Sequence, residues 1–399
     1  MEHTDTFATP GLTTHPQIER FIADEQPETP CLIVALDVVA QKYRTLADAL
    51  PEATIYYAVK ANPEAEVISV LAGLGARFDV ASPAEIDLCL RCGVAPAALS
   101  YGNTIKKVAD IAYAYRLGVR LFAVDSLMEV EKVAEAAPGA AVFCRLLTAG
   151  SGADWPLSGK FGCDPDMAAD LLLMAARLGL DPCGVSFHVG SQQRDPGQWD
   201  ADIARAATVF HAVAREGIRL RLLNLGGGFP AHYIDDIPPI EVYGEVIRAG
   251  VRRHFGEQPP DLVVEPGRYV VADAGVLLTE VVLVARKSYG DTERWVYLDT
   301  GVFGGLAETL GESIKYRLTT TWRRGRTAAD NGADGPVVLA GPTCDSLDVM
   351  YQHHRYRLPL DLEAGDRVLF QSAGAYTKAY CTDGFNGFVP MPAYCLPPA

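Results

Sequence analysis

Residues 54–85, TIYYAVKANPEAEVISVLAGLGARFDVASPAE, contain the pattern that decides the fold. The run Thr54–Val59 is rich in β-branched and aromatic residues, which indicates a buried strand, and Ala76–Val80 indicates a second one. A helical pattern lies between them, and the following Ser82-Pro83-Ala84-Glu85 is a typical helix start. Strand, helix and strand in this order form the repeating unit of a parallel sheet.

The same unit recurs from about residue 50 to residue 270. We predict eight strands, which are Thr54–Val59, Ala76–Val80, Ala98–Tyr101, Val119–Val124, Ala141–Leu146, Cys183–His188, Leu222–Leu225 and Leu262–Glu265. Glycines stand where the intervening helices are expected to end, at Gly75, Gly93, Gly118 and Gly179. Eight units favour a closed (β/α)8 TIM-type barrel over an open doubly wound sheet.

The pattern changes after about residue 275, where β-like runs alternate with turns and long helices are lacking. We therefore expect a barrel over residues 30–275 and a C-terminal, mostly antiparallel β-domain over residues 276–399. Residues 1–29 lack a clear periodicity, and part of them is expected to pack on the β-domain. Residues 319–336, with the basic cluster Arg323-Arg324-Gly325-Arg326, are predicted to be a solvated surface loop.

Composition narrows the class of protein. The net charge of −15 argues against binding to nucleic acid or anionic membranes; it either attracts a cationic small molecule or serves solubility alone. No stretch is long enough to span a bilayer and no signal peptide is visible, so a cytoplasmic protein is expected. The nine cysteines suit reduced thiols, and neither the Cys89/Cys92 pair nor His353-His354, expected in a solvated loop, is predicted to bind a metal.

Chemically diverse residues stand at the carboxyl ends of the predicted strands, where the active sites of such barrels form. In chain order these residues are Lys60, Asp79, Asn103, Asp125, Arg145, His188, Gly226-Gly227-Gly228 and Glu265. Burial at a strand end is expected to lower the pKa of Lys60 and to make it a nucleophile that forms a Schiff base with an aldehyde. The simpler alternative is a lysine that only extends into solvent.

Several of these residues together fit pyridoxal 5'-phosphate. The glycine run after the seventh strand lets backbone amides converge on an anion, and Arg268, in Glu265-Pro266-Gly267-Arg268, adds positive charge. Glu265 suits a pyridine nitrogen, His188 offers a flat ring for stacking, and Ser191 offers a hydroxyl for the phosphate. The cofactor supplies an electron sink and the protein supplies orientation.

With these motifs the sequence resembles the fold-type III pyridoxal phosphate decarboxylases, specifically the ornithine/lysine decarboxylase group. The matching segments extend over residues 57–388 and are Tyr57–Asn62, Phe78–Ser82, Phe187–Gln192, Leu225–Pro230, Glu265–Tyr269, Gly341–Asp345, Gly374–Thr377 and Phe385–Phe388. The resemblance implies decarboxylation of a basic L-amino acid, ornithine or lysine, to a diamine for polyamine-type biosynthesis.

The resemblance also implies roles for individual residues. Lys60 carries the cofactor, His188 stacks on the cofactor ring, and Glu265 pairs with the ring nitrogen. Asp79 and Arg145 help to place the cofactor and Lys60. The phosphate is held by Ser191, Gly226, Gly227, Gly228, Gly267, Arg268 and Tyr376. A homodimer with shared active sites is implied, in which Cys344 handles protonation, Asp345 binds the distal amine of the substrate, and Phe385 lines the pocket.

One segment departs from the pattern of the group. Relatives place an acidic residue after a GVxG-type segment to bind the distal amine, and the best register puts Gly311 there, with Glu308 or Glu312 as substitutes. A longer or differently tailed diamino acid therefore stays open as the substrate. Diaminopimelate decarboxylases and racemases are disfavoured because Cys344 precedes Asp345-Ser346, and a catalytically silent relative resembling antizyme inhibitors is disfavoured because Lys60 and Cys344 are present.

Overall fold

Eight parallel strands close into a barrel in the computed structural model, which describes residues 15–148, 150–155, 159–320 and 333–398. The first to eighth barrel strands, in chain order, are Ala53–Ala58, Arg77–Val80, Leu99–Tyr101, Leu121–Val124, Ala141–Arg145, Asp181–Ser186, Leu222–Asn224 and Asp261–Val264. The eighth strand pairs with the first, with Leu262 opposite Ala53, and this pairing closes the barrel. Each observed strand overlaps a predicted one, so the predicted barrel is confirmed.

Helices cover the outside of the barrel and bury their apolar faces against the strands. They are Leu36–Ala49, Ala65–Gly73, Pro83–Arg91, Val108–Leu117, Leu127–Ala136, Pro165–Arg177, Gln198–Arg215, Ile240–Phe255 and the short Arg268–Val271. The predicted start at Ser82 is observed, since Ser82 Oγ accepts a hydrogen bond from the Glu85 amide and Glu85 Oε2 accepts one from the Ala81 amide. The helix Val108–Leu117 ends at Gly118, whose φ of 104° favours glycine.

A second, eight-stranded sheet follows the barrel. Its strands are Cys31–Ala35, Gly275–Ala285, Arg294–Leu298, Leu318–Thr319, Asp334–Ala340, Val349–Pro359, Arg367–Phe370 and Ala393–Leu396. Most pairs are antiparallel, and the parallel ones join Arg294–Leu298 to Asp334–Ala340 and Cys31–Ala35 to Ala393–Leu396. The prediction of a mostly antiparallel β-domain is therefore confirmed. A small antiparallel pair, Ala153–Trp155 with Ser191–Gln193, follows the fifth and sixth barrel strands.

The N-terminal residues join the second sheet. The helix Pro16–Glu25 buries Ile18 and Ile22 in a cluster with Leu278 and Leu369, although no periodicity was expected there. The strand Cys31–Ala35 also belongs to this sheet, although its numbers fall in the range expected for the barrel. The division near residue 275 stays a prediction. Residues 1–14 and the basic cluster at residues 323–326 lie outside the described residues. The loop predicted over residues 319–336 is too long, because Thr319 and residues 334–336 lie in strands.

Two smaller expectations can be compared with the structure. His353 and His354 do not lie in a loop, because they belong to the strand Val349–Pro359. Cys89 is buried on the helix Pro83–Arg91, and Cys92 donates a hydrogen bond to the Ala65 carbonyl. Among the described residues, none of the helices has the length and apolar character needed to cross a membrane.

Candidate active site

Lys60 lies at the carboxyl end of the first barrel strand, in the short 3-10 turn Val59–Ala61. Its Nζ donates a hydrogen bond to Asp79 Oδ2 over 3.1 Å, and 49% of its side chain is exposed against 6% of that of Asp79. Burial alone would lower the pKa of Lys60, but the charge of Asp79, followed by Tyr376 and Glu265, raises it above its ordinary value. The expectation of a lowered pKa is therefore wrong, because the second barrel strand places a carboxylate beside the amine.

Asp79 occupies a tight position between neighbouring strands. A Cβ atom on Gly102, which follows the third barrel strand, would lie 2.0 Å from Asp79 Oδ1. Gly102 thus makes room for the carboxylate. The same Oδ1 atom is buried and has no hydrogen-bond partner within the described part of the chain, so it is free to accept a hydrogen bond.

Glu265, after the eighth barrel strand, faces the same rim. Asn224 Nδ2 donates to Glu265 Oε1 over 2.5 Å, and Asn224 Oδ1 accepts a hydrogen bond from the Gly226 amide over 2.9 Å. Burial, together with the charge of Asp79, raises the pKa of Glu265 from 4.5 to about 7. A nearby cationic donor strongly stabilises the ionised form of a buried carboxyl group whose pKa is raised.

His188 and Arg145 complete the rim between these groups. His188 Nδ1 accepts a hydrogen bond from the Gly190 amide over 3.1 Å, which fixes the ring orientation. Burial, assisted by the charges of Arg145 and Lys60, lowers the pKa of His188 from 6.5 to about 3, so the ring is neutral. Burial also lowers the pKa of Arg145, whose guanidinium lies 5.4 Å from the centre of the Phe161 ring.

The glycine run forms a backbone cradle at this rim. A Cβ on Gly226, whose φ is 66°, would lie 2.1 Å from the Phe187 carbonyl oxygen. On Gly227 it would lie 2.5 Å from the Glu265 carbonyl oxygen and 3.2 Å from His188 Nε2. Side chains are therefore excluded here, and backbone groups border the space beside His188.

Arg268 lies beside the cradle, and its side chain is 2% exposed. It donates to Ser191 Oγ through Nε over 3.2 Å and through Nη2 over 3.1 Å. Its guanidinium also lies 5.0 Å from the centre of the Tyr376 ring. A Cβ on Gly267 would approach Tyr376 Oη to 2.9 Å, so Gly267 admits this hydroxyl.

The two glutamates expected near a distal amine are both engaged elsewhere. Glu308, in the 3-10 segment Ala307–Glu312, accepts two hydrogen bonds from Arg268 over 2.7 and 2.5 Å. Glu312 accepts hydrogen bonds from the amides of the three residues 352–354 over 2.7, 2.6 and 2.7 Å, and these bonds help to lower its pKa despite the opposing effect of burial. Neither carboxylate is free, and Gly311 between them has a φ of 63°.

Two polar residues at strand ends have local roles. Asp125 Oδ2 accepts a hydrogen bond from the Gly162 amide over 2.9 Å, and Asn103 Oδ1 accepts one from the Ile105 amide over 3.4 Å. These bonds stabilise loops of the rim. Asp125 also contributes to the electrostatic environment of Arg145.

Cys344, Asp345 and Phe385 form a separate group, in which Cys344 and Phe385 are exposed and Asp345 is half-buried. The Cys344 amide donates to Asn386 Oδ1 over 2.8 Å, Asp345 Oδ1 accepts from the Leu347 amide over 2.8 Å, and Phe385 packs on Phe303 with ring centres 4.7 Å apart. Within the described residues of this one chain, no hydrogen bond or ion pair joins Cys344 or Asp345 to Lys60.

Sequence reasoning missed three residues of the site. Asn224, the last residue of the seventh barrel strand, links Glu265 to the glycine run, and Tyr233 Oη accepts a hydrogen bond from Arg268 Nη1 over 2.8 Å. Gly102 is the third. A polar residue inside a buried strand was a usable signal for Asn224, whereas Tyr233 and Gly102 had no sequence signal of their own.

The geometry of the residues at the barrel rim fits pyridoxal phosphate. It combines a lysine amine, a carboxylate whose pKa is raised to about 7, a neutral ring and a cradle that side chains would fill. The cradle and the adjacent Arg268 suit a phosphate, because backbone N–H groups without flanking side chains and a buried arginine are groups that bind this anion.

Comparisons with known proteins agree with this geometry. Residues 36–272 match the family described as pyridoxal-dependent decarboxylase, pyridoxal binding domain. The lysine/ornithine decarboxylase of Selenomonas ruminantium is 34% identical over 91% of this chain and 88% of its own length, and antizyme inhibitor 2 of Xenopus laevis is 35% identical over 92% and 81%. The structure of lysine/ornithine decarboxylase from Vibrio vulnificus complexed with putrescine superposes with a TM-score of 0.81 at 33% identity, covering 95% of this chain and 97% of the other. The chain therefore belongs to the family of pyridoxal-dependent decarboxylases.

Proposed function

We propose that this protein decarboxylates a basic L-amino acid, ornithine or lysine, to a diamine and CO2 with pyridoxal phosphate. The single observation that carries the proposal is the Lys60–Asp79 pair on the same barrel rim as Glu265, His188 and the glycine cradle. The names of the similar decarboxylases support the substrate class. The net charge of −15 suits a cationic substrate, and a cytoplasmic location stays a prediction.

We assign the binding roles from the geometry. Gly226–Gly228, Ser191, Arg268 and Tyr376 hold the phosphate, and Gly267 leaves room for the Tyr376 hydroxyl. The neutral His188 ring, fixed by the Gly190 amide, offers a flat surface for stacking. When bound, the cofactor supplies an electron sink for the bond that loses CO2.

The acid–base groups of the chain have separate roles. Burial raises the pKa of Glu265 to about 7, and a cation beside it favours the ionised form, which would hold a proton on the ring nitrogen. Asp79 holds and orients the Lys60 amine, and Arg145 adds positive charge near Asp79 and Glu265. Half of the Lys60 side chain is exposed, so the amine can reach a ligand without rearrangement of the barrel.

The catalytic unit is proposed to be a homodimer with shared sites. Around Cys344 and Asp345 lies an exposed apolar group, formed by Leu347, Phe385, Phe388 and Val389. Such a group favours burial in an interface. In the dimer, Cys344 of the partner subunit protonates the substrate carbon, and the partner subunit's Asp345 binds the distal amine.

Complementation between two inactive variants tests the shared site. Lys60→Ala and Cys344→Ala are each expected to lose activity, whereas mixed dimers contain one intact site. Equal mixing with free exchange should restore about a quarter of the wild-type activity, since half of the dimers are mixed and each has one good site of two. No recovery in a mixture shown to exchange subunits would contradict the shared site.

The choice of substrate depends on the distal end of the pocket. Because Glu308 and Glu312 are bound elsewhere and Gly311 has no side chain, Asp345 is the remaining candidate acid. Ornithine and lysine need only one acid for the distal amine, but a longer or differently tailed diamino acid, including diaminopimelate, is the alternative.

A panel of amino acids tests both the reaction and the substrate. CO2 release is measured with ornithine, lysine, arginine and diaminopimelate, with Lys60→Ala as the control. Release from ornithine or lysine supports the proposal. Release from diaminopimelate or arginine alone contradicts the substrate assignment, and no release from any of them contradicts the reaction.

A second candidate function is that of a catalytically silent binding protein, favoured by the 35% identity to antizyme inhibitor 2. Purified protein that is colourless and fails to bind added pyridoxal phosphate would support it. The intact Lys60 rim and the exposed Cys344 favour the enzyme.

A further inference from the structure

Glu308 forms a buried ion pair with Arg268 that the proposed reaction does not yet use. Each side chain of the pair is 2% exposed. We propose that Glu308 is a positioning residue, which holds the Arg268 guanidinium so that one edge of it faces the phosphate of the cofactor. This inference rests on the proposed function, and it replaces the expected role of Glu308 at the distal amine.

The hydrogen bonds of Arg268 use all five of its N–H donors. Nη1 donates to Tyr233 Oη over 2.8 Å and to Glu308 Oε2 over 2.7 Å. Nη2 donates to Glu308 Oε1 over 2.5 Å and to Ser191 Oγ over 3.1 Å, and Nε donates to the same Ser191 oxygen over 3.2 Å. Glu308 therefore occupies the edge formed by the two Nη atoms and fixes the plane of the guanidinium.

The other edge, formed by Nε and Nη2, points toward the proposed phosphate site. Its two donors share a single hydroxyl oxygen, that of Ser191, which is a poorer match than the two oxygens of a phosphate. Ser191 follows Gly190, whose carbonyl oxygen would lie 2.5 Å from a Cβ on Gly228 of the cradle. This edge, the serine and the glycine cradle thus lie side by side.

Two effects of Glu308 oppose each other, so the direction of the change in affinity distinguishes them. As an anion near a phosphate, Glu308 weakens phosphate binding through charge repulsion. As the clamp on a buried arginine, it strengthens binding, because an unclamped guanidinium loses its orientation and its desolvated charge loses its partner. The two short bonds and the burial of both groups favour the positioning effect.

The test compares the affinity of the apo-protein for pyridoxal phosphate with that for pyridoxal, which lacks the phosphate. Glu308→Gln removes the charge with little change in volume. We expect it to raise the dissociation constant for pyridoxal phosphate by roughly 10- to 100-fold, the scale of hydrogen bonds to a charged group, and to leave that for pyridoxal unchanged. Binding is measured by absorbance and does not require turnover.

Glu129→Gln is the matched control. Glu129 is also a buried acid, 4% exposed, and it pairs with Lys106 Nζ over 2.9 Å and Lys132 Nζ over 2.5 Å, apart from the cradle. We expect this variant to lose thermal stability and to keep the ratio of the two dissociation constants. A changed ratio in the control would overturn the assignment to Glu308.

An unchanged ratio in Glu308→Gln, or tighter binding of pyridoxal phosphate, would overturn the positioning role. Should Glu308→Gln fail to fold, Glu308→Asp replaces it, since its shorter carboxylate cannot keep both bonds; normal affinity in that variant would equally overturn the proposal. If wild-type protein binds the cofactor but releases no CO2, the proposed function is contradicted, whereas the positioning role of Glu308 is not affected.

Discussion

Substitution of Glu265 by Gln is predicted to change how stability depends on pH. In the folded protein, burial and the charge of Asp79 raise the pKa of Glu265 from 4.5 to about 7. Between pH 4.5 and about 7, the folded state therefore keeps a proton on Glu265 that the unfolded state has already released. Stability that Glu265 contributes is complete below pH 4.5 and is lost as the pH rises to about 7.

The size of the effect follows from the two pKa values. The difference between 4.5 and about 7 corresponds to about 3 kcal/mol in the free energy of unfolding. The amide that Glu265→Gln introduces cannot ionise, so the variant does not lose this stability as the pH rises. The stability of Glu265→Gln relative to wild type should thus rise by about 3 kcal/mol between acidic and mildly alkaline pH.

Equilibrium urea unfolding of the apo-proteins across this pH range measures the difference. Asp299→Asn is the control, because burial also raises the pKa of Asp299, which directly follows the strand Arg294–Leu298, from 3.8 to about 6. Added pyridoxal phosphate should abolish the pH dependence due to Glu265, since a protonated ring nitrogen stabilises the carboxylate, but not that due to Asp299. Parallel stability curves for wild type and Glu265→Gln would refute the reasoning.

Three further substitutions have predicted outcomes. Asp79→Asn should lower the pKa of Lys60 by about 1–3 units, because it removes the neighbouring charge, and an unchanged midpoint of amine labelling against pH would contradict this. Gly227→Ala places a Cβ 2.5 Å from the Glu265 carbonyl oxygen, so we expect a loss of about 1–3 kcal/mol and weaker cofactor retention, measured by thermal unfolding with and without cofactor. Glu312→Gln should cost about 1.5–3 kcal/mol at neutral pH, because it weakens three amide contacts. The lowered pKa of Glu312 means that this cost shrinks in acid, which unfolding at two pH values would show.

The barrel and the members of its rim were accessible from sequence because each depends on a local pattern. A buried strand such as Asp261–Val264 has its own apolar run, and the residue that follows it, Glu265, must lie on the carboxyl rim. The same logic placed Lys60 and His188. Closure then brings such residues together without further information.

Relations between distant side chains were not accessible in the same way. The pKa of Lys60 was predicted in the wrong direction because the sequence does not show how near Asp79 lies. Glu308 was assigned to the substrate because its distance of 40 residues from Arg268 conceals their ion pair. The packing of Gly102 on Asp79 likewise exists only in the closed barrel.

The most direct test of the account is to find the residue that carries the cofactor. Holo-protein is treated with borohydride, which makes an imine bond permanent, and the modified peptide is identified by mass spectrometry. We predict stoichiometric modification of Lys60 and none in Lys60→Ala. Modification of another lysine, or none in cofactor-saturated wild type, would contradict the central claim that the rim around Lys60 is the active site.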